Sequence, residues 1–179
     1  MSEVMIDLET LGTENDSVVL SIGAVEFECY PKEFKILSVF SRALNTEEQE
    51  QVDRKVYSST FMWWMRQTKE AQENLLKLHV TSVKDALESL RTFCNGVRIN
   101  GIWGNGSMFD NVLIVSLAKS FSVKPPWSYK KDRCYRTLKN LYPNAIEPVR
   151  SGVHHDALDD ATWQAEHLDQ IFRCMGAQQ

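Results

Sequence analysis

The segment VMIDLETLGT, residues 4–13, constrains the fold of this chain more than any other. Its apolar residues alternate with Met5, Asp7 and Glu9, which is the pattern of a β-strand whose two faces differ. The two carboxylates then project side by side, and Gly12 lets the backbone turn away at the end of the strand. Because an N-terminal strand with an apolar inner face is expected at the centre of a sheet, this pair indicates half of a metal site.

The other half of such a site is expected near the C-terminus, in the segment VHHDALDDATWQA, residues 153–165. His155 precedes Asp160 by five positions, and an apolar stripe from Ala161 to Phe172 places Asp160 near the start of an amphipathic helix. Between the two halves, Asp110 lies just inside another predicted helix. The chain therefore reads Asp-x-Glu, a mid-chain Asp, and then His-x4-Asp.

Two other assignments use the same C-terminal segment. His154 pairs with Asp159 at the same spacing, but the apolar stripe puts Asp160 beside the buried edge of the helix and so favours His155 with Asp160. A zinc hydrolase that uses His154, His155 and Asp156 is also compatible with the sequence, although adjacent histidines are expected to point apart. Acids at a helix start can also serve only to complement the helix dipole.

Taken together, these blocks resemble the DEDDh branch of the DnaQ-like 3′→5′ exonucleases, the group that includes polymerase proofreading subunits and RNase T. Asp7, Glu9, Asp110 and Asp160 match the four acids of that branch, and His155 matches its histidine. Within the branch, IDLETLGT, the double tryptophan at 63–64 and FDNVLI look like the small phage and prophage exonucleases and the mycobacterial-type exoribonuclease. The resemblance covers nearly the whole chain, so residues 1–179 are expected to form a single exonuclease domain.

The resemblance implies a site for two Mg²⁺ or Mn²⁺ ions, which favour oxygen ligands. By analogy Asp7 bridges both ions, Glu9 and Asp160 complete the shell of the first, and Asp110 acts near the second. His155 is then not a ligand but the general base, because its ordinary pKa of about 6.5 suits proton transfer near neutral pH. Two such ions can activate the attacking oxygen and neutralise the leaving one.

The resemblance also implies contacts with the terminal nucleotide. The expected substrate contacts are Thr10, Leu11, Gly12, Trp64, Phe109 and Arg136. Phe109 and one of the two adjacent tryptophans are expected to stack on bases, since neighbouring residues of a helix cannot both face one side. Arg136 is expected to hold a phosphate, although Cys134 stands where the family segment carries an acid.

The periodicity along the chain agrees with an RNase H-like α/β fold, in which helices flank a mixed sheet of about five strands. Besides the strand that carries the first two acids, the predicted strands are 18–27, 34–43, 100–104 and a short one near residue 129. The predicted helices are 58–66, 68–79, 83–96, one beginning near residue 108, 132–141 and 156–175. Residues 47–57 are predicted to be a charged connection.

The net charge of −4 argues against a protein that coats nucleic acid nonspecifically, but the charge is distributed unevenly. Residues 119–150 carry eight basic side chains and two acidic ones, so this segment has a net charge of +6 and the remainder −10. Such a basic segment suits an enzyme that holds a polyanion, and it is also what a solvated loop looks like. Trp127 and Tyr129 within it are candidates for a dimer contact.

No run of about 18 apolar residues is present, and the first residues lack the features of a signal peptide, so a cytoplasmic protein without membrane contact is expected, in a bacterial host if phage-encoded. We expect a metal-dependent 3′→5′ exonuclease that releases 5′-mononucleotides from single-stranded DNA or RNA. The alternatives are a nuclease-like binding module that has lost catalysis and a phosphohydrolase of nucleotides or short oligonucleotides. The residues do not distinguish DNA from RNA.

Overall fold

A computed structural model describes residues 1–77, 79–96 and 98–176. Within this part of the chain six strands form one mixed sheet. The strands are β1 (Ser2–Thr10), β2 (Val19–Glu28), β3 (Lys35–Leu44), β4 (Val80–Thr81), β5 (Ile99–Gly104) and β6 (Asp132–Cys134). The helices are α1 (Thr46–Glu50), α2 (Ser58–Trp64), α3 (Lys69–Lys77), α4 (Val83–Cys94), α5 (Asp110–Ser120), α6 (Tyr135–Leu141) and α7 (Ala157–Gly176).

The sheet has the order β4-β3-β2-β1-β5-β6, which places β1 near its centre. The first three strands form an antiparallel meander. β5 then pairs in parallel with β1, and β6 in parallel with β5. The α/β architecture of a mixed sheet flanked by helices is therefore confirmed, with six strands in place of the expected five or so.

Two apolar layers explain why every residue of β1 is buried. Val4, Ile6 and Leu8 pack with α4 and α5 on one face of the sheet. Met5, on the opposite face, packs with Ala161, and with other apolar residues of α6 and α7. Because burying one large aliphatic side chain contributes about 1.5–3 kcal/mol, these layers fix the strand firmly between two sets of helices. Asp7 and Glu9 continue the face that α7 covers.

A glycine in β2 determines how closely α7 approaches the sheet. Gly23 pairs directly with Asp7 in the β1–β2 register. A Cβ atom at this position would lie 2.2 Å from the backbone carbonyl carbon of Ala157, the first residue of α7. Only glycine accepts such an approach, so the start of α7 lies against the sheet directly opposite Asp7.

Several sequence-based boundaries are wrong, each for a local reason. The 47–57 connection contains α1, whose start is capped by Asn45: its side-chain oxygen accepts a hydrogen bond from the Glu48 amide. The short strand expected near Tyr129 is a 3₁₀ turn, Tyr129–Lys131, and the strand follows it as β6. The predicted 132–141 helix consequently begins at Tyr135, because residues 132–134 extend the sheet beside β5.

Other elements lie within a few residues of their predicted positions. α7 was expected from residue 156 to 175 and runs from Ala157 to Gly176. Residue 78, which the predicted 68–79 helix includes, lies outside the described residues, and α3 ends at Lys77. β4 has two residues, too few to show any hydrophobic period. Within the described ranges, the helices are all too short or too polar to cross a membrane.

Candidate active site

The four acids singled out in the sequence come together at one end of the sheet. Asp7 and Glu9 lie on β1, Asp110 is the first residue of α5, and Asp160 lies in the first turn of α7. All four are at most 9% exposed. Ligand atoms of Glu9, Asp160 and His155 lie within 4.8 Å of one another. Glu9 and Asp160, which are 151 positions apart in the chain, thus lie in one site.

Local packing holds each acid in place. Gly104, the last residue of β5, lets Asp110 approach closely: a Cβ atom at Gly104 would lie 2.9 Å from the Asp110 Cβ. Asp156 caps α7, since its carboxylate accepts hydrogen bonds from the amides of Leu158 (3.0 Å) and Asp159 (3.1 Å). This cap fixes the first turn of α7, and with it the position of Asp160.

Burial makes the cluster costly to ionise. Desolvation, together with the charges of Asp7, Asp156 and Asp110, raises the pKa of Glu9 to about 9. Desolvation likewise raises the pKa of Asp7 and of Asp110, although hydrogen bonding from Gln164 counteracts the shift at Asp7. Buried carboxylates that raise one another's pKa in this way need positive charge beside them to be ionised at neutral pH.

The cluster fits a divalent cation. The Oδ2 atom of Asp110 is buried and has no hydrogen-bond partner among the described residues. Its neighbours offer further carboxylate oxygens, the ligands that Mg²⁺ and Mn²⁺ prefer. An orphaned oxygen and a set of converging buried acids are explained if the acids hold metal ions, and they are poorly explained as a purely structural arrangement.

The metal-free protein is expected to lose stability as pH rises from about 7 to 9. A carboxyl whose folded-state pKa is raised stabilises the fold fully below its unfolded pKa, and this stability is lost as pH rises through the folded value, about 9 for Glu9. Melting temperatures in EDTA should therefore fall across this range, by about 2–4 °C for each kcal/mol lost. Binding of Mn²⁺ to the ionised acids would oppose the fall. A melting temperature independent of pH in EDTA would contradict the burial of the acids.

His155 precedes α7 in a left-handed backbone conformation, with φ +66°. Its half-buried ring packs edge-on against Trp63, with centroids 4.7 Å apart, and lies 6.2 Å from the ring of Trp64. Desolvation, together with the charges of His154 and Arg150, lowers the pKa of His155 to about 4. The imidazole is therefore neutral at pH 7 and able to accept a proton.

The alternative zinc site would use His155 together with its neighbours His154 and Asp156. His154 is exposed, and Asp156 is engaged as the cap of α7. The expectation that the two adjacent histidines point apart is wrong, because their ring centroids are only 3.9 Å apart. The left-handed backbone at His155 turns the chain so that both rings lie on the same side.

Two residues that the sequence analysis did not assign contact the acids. Gln164, buried one turn beyond Asp160 on α7, donates a hydrogen bond of 2.7 Å to Oδ1 of Asp7. Arg150 forms an ion pair with Oδ1 of Asp160, and its guanidinium carbon lies 5.1 Å from the centre of the Trp163 ring. Gln164 could have been identified from the sequence, because it lies on the apolar stripe of a helix and a buried amide requires a hydrogen-bond partner. Arg150 had no comparable signal, being one of several basic residues in a loop.

The ion pair of Arg150 with Asp160 predicts competition between the guanidinium and a metal ion for this carboxylate. We expect Arg150→Gln to tighten Mn²⁺ binding about tenfold, because removal of the guanidinium frees a carboxylate oxygen and one positive charge. Titration calorimetry in the absence of nucleic acid measures this directly. Arg173→Gln is the matched control, since Arg173 pairs with Asp169 on the same helix but away from the cluster. Equal or weaker Mn²⁺ binding by the Arg150 variant would contradict this account of Asp160.

The predicted substrate residues divide into two groups. Thr10, Trp64 and Phe109 line a cleft of about 400 Å³ beside Glu9. Trp64 is buried and donates a hydrogen bond of 2.9 Å to the Thr10 carbonyl, whereas Trp63 also lines the cleft and is 40% exposed. The more accessible stacking surface therefore belongs to Trp63, in contrast to the choice of Trp64 from the sequence.

The remaining predicted contacts lie outside the cleft lining. Leu11 pairs with Val18 through its amide, and a Cβ atom at Gly12 would lie 2.3 Å from side-chain atoms of Ser17 and Tyr57, so this glycine is needed for packing. The exposed Arg136 donates a hydrogen bond of 2.7 Å to the Asn105 carbonyl, and its charge lowers the pKa of Asp110. Thr13, Ser59 and Thr60, which were not predicted, line the cleft with hydroxyl groups.

The sequence matches the family described as the Rv2179c-like 3′-5′ exoribonuclease domain over residues 2–172. The chain belongs to this family. The family is described as 3′-5′ exoribonucleases, so the resemblance to 3′→5′ exonucleases read from the sequence is confirmed at the level of the family. Among curated proteins, none matches the sequence.

Solved structures confirm the exonuclease fold of this Rv2179c-like domain. A zinc-bound complex of Escherichia coli exonuclease I with single-stranded DNA superposes with a TM-score of 0.71 at 13% identity, covering 98% of this chain and 41% of that one. The nuclease domain of 3′hExo, a DEDDh family member bound to rAMP, gives 0.66 at 12% identity, covering 97% and 92%. The chain thus spans about two fifths of the length of exonuclease I.

Proposed function

We propose that this exonuclease removes 5′-mononucleotides one at a time from the 3′ end of single-stranded RNA, with two Mg²⁺ or Mn²⁺ ions held by its four acids. The observation that carries the proposal is the meeting of Glu9, His155 and Asp160 within 4.8 Å at the edge of an aromatic cleft. A cleft of about 400 Å³ beside buried acids suits one terminal nucleotide.

Bound divalent ions would neutralise the phosphodiester, help to ionise the attacking water and stabilise the leaving 3′-oxygen. The chain supplies the rest. The negative charge that would hold the ions beside the scissile phosphate comes from Asp7, Glu9, Asp110 and Asp160. Gln164 holds one oxygen of Asp7 through a hydrogen bond. A ring nitrogen of His155, neutral at pH 7 because its pKa is lowered to about 4, takes the proton of the attacking water. The water oxygen then replaces the 3′-oxygen on phosphorus.

The cleft lining supports a nucleotide with a ribose. Trp63 and Phe109 offer aromatic faces on which a terminal base can stack. Hydroxyl groups of Thr13, Ser59 and Thr60 can hydrogen-bond to sugar hydroxyls, which distinguish RNA from DNA. Membership of a family described as exoribonucleases favours RNA as well.

The test is a denaturing-gel time course on 5′-labelled RNA and DNA of one sequence, with Mg²⁺, Mn²⁺ or EDTA. We expect RNA to shorten from the 3′ end in either metal and not in EDTA, with 5′-mononucleotides as the only small product by thin-layer chromatography. Faster shortening of DNA would reject the RNA assignment. No shortening of long strands, with cleavage of dinucleotides only, would favour an oligonucleotide phosphohydrolase. Binding without turnover in any metal would favour the non-catalytic module.

A further inference from the structure

A groove runs along the outer face of α5. Its first part, about 350 Å³, is lined by Asn15 and by Asn111, the residue that follows Asp110 in α5. Its second part, about 560 Å³, lies between α4 and the segment that precedes β6. The two parts share Val115 and Tyr129, so they form one continuous surface, which we call the α5 groove.

One aromatic side chain stands at the point where the two parts meet. Tyr129 lies in the 3₁₀ turn before β6 and is 78% exposed, whereas the neighbouring Trp127 is buried and donates a hydrogen bond to Asp132. An exposed aromatic ring that lines two adjoining depressions is not explained by core packing. It is the kind of surface on which a nucleic-acid base stacks without regard to sequence.

The charge of the α5 groove is opposite to that of the protein as a whole. Lys119, Lys124 and Arg91 line it, while the overall net charge is −4. Lys119 and Lys124 form no ion pair within the described residues, so both are available to a ligand. Asp132, the one acid of the lining, already accepts hydrogen bonds from Asn111 (2.8 Å) and from a buried tryptophan (2.7 Å).

The length of the α5 groove matches several nucleotides. Asp110 and Lys119 are nine residues apart on one helix, which corresponds to about 13 Å at 1.5 Å per residue. A strand with stacked bases rises about 3.4 Å per nucleotide along its axis, so roughly four nucleotides span that distance. A strand whose 3′ end lies at the catalytic acids would therefore reach Tyr129 and Lys124 with nucleotides farther toward its 5′ end.

We propose that the α5 groove binds the 5′-ward part of a single-stranded nucleic-acid substrate, with Tyr129 stacked on a base and Lys119 and Lys124 in contact with phosphates. The proposal rests on the proposed function, because it takes the 3′ end to lie at the acids. It makes the enzyme dependent on strand length: strands longer than about four nucleotides gain contacts that a dinucleotide cannot make. The same groove would keep the shortened strand bound between successive cleavages.

The test compares Tyr129→Ala and the double variant Lys119→Ala/Lys124→Ala with a control, Lys35→Ala/Lys69→Ala, which removes two exposed lysines elsewhere. Binding of a fluorescein-labelled RNA of about 12 nucleotides is measured by anisotropy in EDTA, where no cleavage occurs. Loss of the stacked base should weaken binding about five- to hundredfold, and loss of two phosphate contacts should lower the slope of log affinity against log salt by about 1.4. Melting temperatures check that each variant is folded.

Steady-state kinetics give the second readout. The KM for the long strand should rise in the groove variants, while kcat/KM for a dinucleotide stays within about twofold of wild type. Wild-type binding and KM in the groove variants, or equal losses in the control, would overturn the proposal, as would a wild type that does not bind RNA. If the protein turned over no strand but bound RNA through Tyr129 and the two lysines, the α5 groove would be supported as a binding surface and the proposed function would be rejected.

Discussion

Asp7→Asn should reduce the rate of 3′-terminal hydrolysis by at least about a thousandfold, because the carboxylate whose charge acts on both Glu9 and Asp110 is lost. Single-turnover rates on a labelled RNA measure the loss. The same change should raise the melting temperature in EDTA at pH 8, since burial raises the pKa of Asp7 and its ionised form destabilises the metal-free fold. Asn still offers an oxygen to Gln164, so the packing is retained.

The matched control for Asp7 lies on the same strand and the same face. Glu3 is also buried, but its two oxygens accept hydrogen bonds from Asn100 (2.7 Å) and Trp103 (2.7 Å). Glu3→Gln should therefore change stability and leave the rate within about threefold of wild type. An Asp7 variant with nearly normal activity, or a Glu3 variant with an equal loss, would contradict the assignment of the cluster.

His155→Ala should lower kcat by about 10²- to 10⁴-fold, the range expected on removal of a general base. KM should change little, because the imidazole acts on the attacking water and not on the nucleotide. The shift of melting temperature on addition of Mn²⁺ should also be kept, since the four acids remain. Initial rates at saturating RNA and melting curves with and without metal provide the two measurements.

His154→Ala is the control for this second prediction, because it removes an exposed imidazole whose ring lies 3.9 Å from that of His155. It should retain activity within about threefold. If His155 were instead a metal ligand with Glu9 and Asp160, its loss would weaken Mn²⁺ binding along with the rate. A large activity loss in the His154 variant alone would instead assign the general base to His154.

The parts of the fold that were predictable from sequence depend on short-range patterns. The alternation along β1 and the apolar stripe of α7 are both local, and each element lies where its period placed it. β6 and its helix were misassigned because residues 132–134 become a strand only by pairing with β5, a contact across about thirty residues. Propensity alone could not supply that long-range pairing.

The site shows the same division between local and long-range information. The acids and His155 were readable because their spacing resembles that of a known group of enzymes. Arg150 was not, because its ion pair with Asp160 depends on the path of an irregular loop that has no period. The exposed Trp63 was passed over in favour of Trp64 because the sequence gives no means of telling which of two adjacent rings α2 buries.

The basic residues of segment 119–150 do not form a single surface in the fold. Its net charge of +6 suggested one polyanion-binding surface. In the fold, Lys119 lines the α5 groove, Arg136 and Arg150 lie near the acids, and Lys139 pairs with Glu147 at 2.8 Å. The basic side chains of this segment therefore lie at several separate sites, and only the three-dimensional arrangement distinguishes these sites.

The central claim, that the four acids hold the metal ions of the reaction, is tested most directly by anomalous diffraction from crystals grown with Mn²⁺ and 5′-AMP. We expect two anomalous peaks among the carboxylates of Asp7, Glu9, Asp110 and Asp160, with Arg150 displaced from Asp160. Crystals of enzyme that degrades RNA in the same Mn²⁺ buffer, but that show no peak among these carboxylates, would contradict the account.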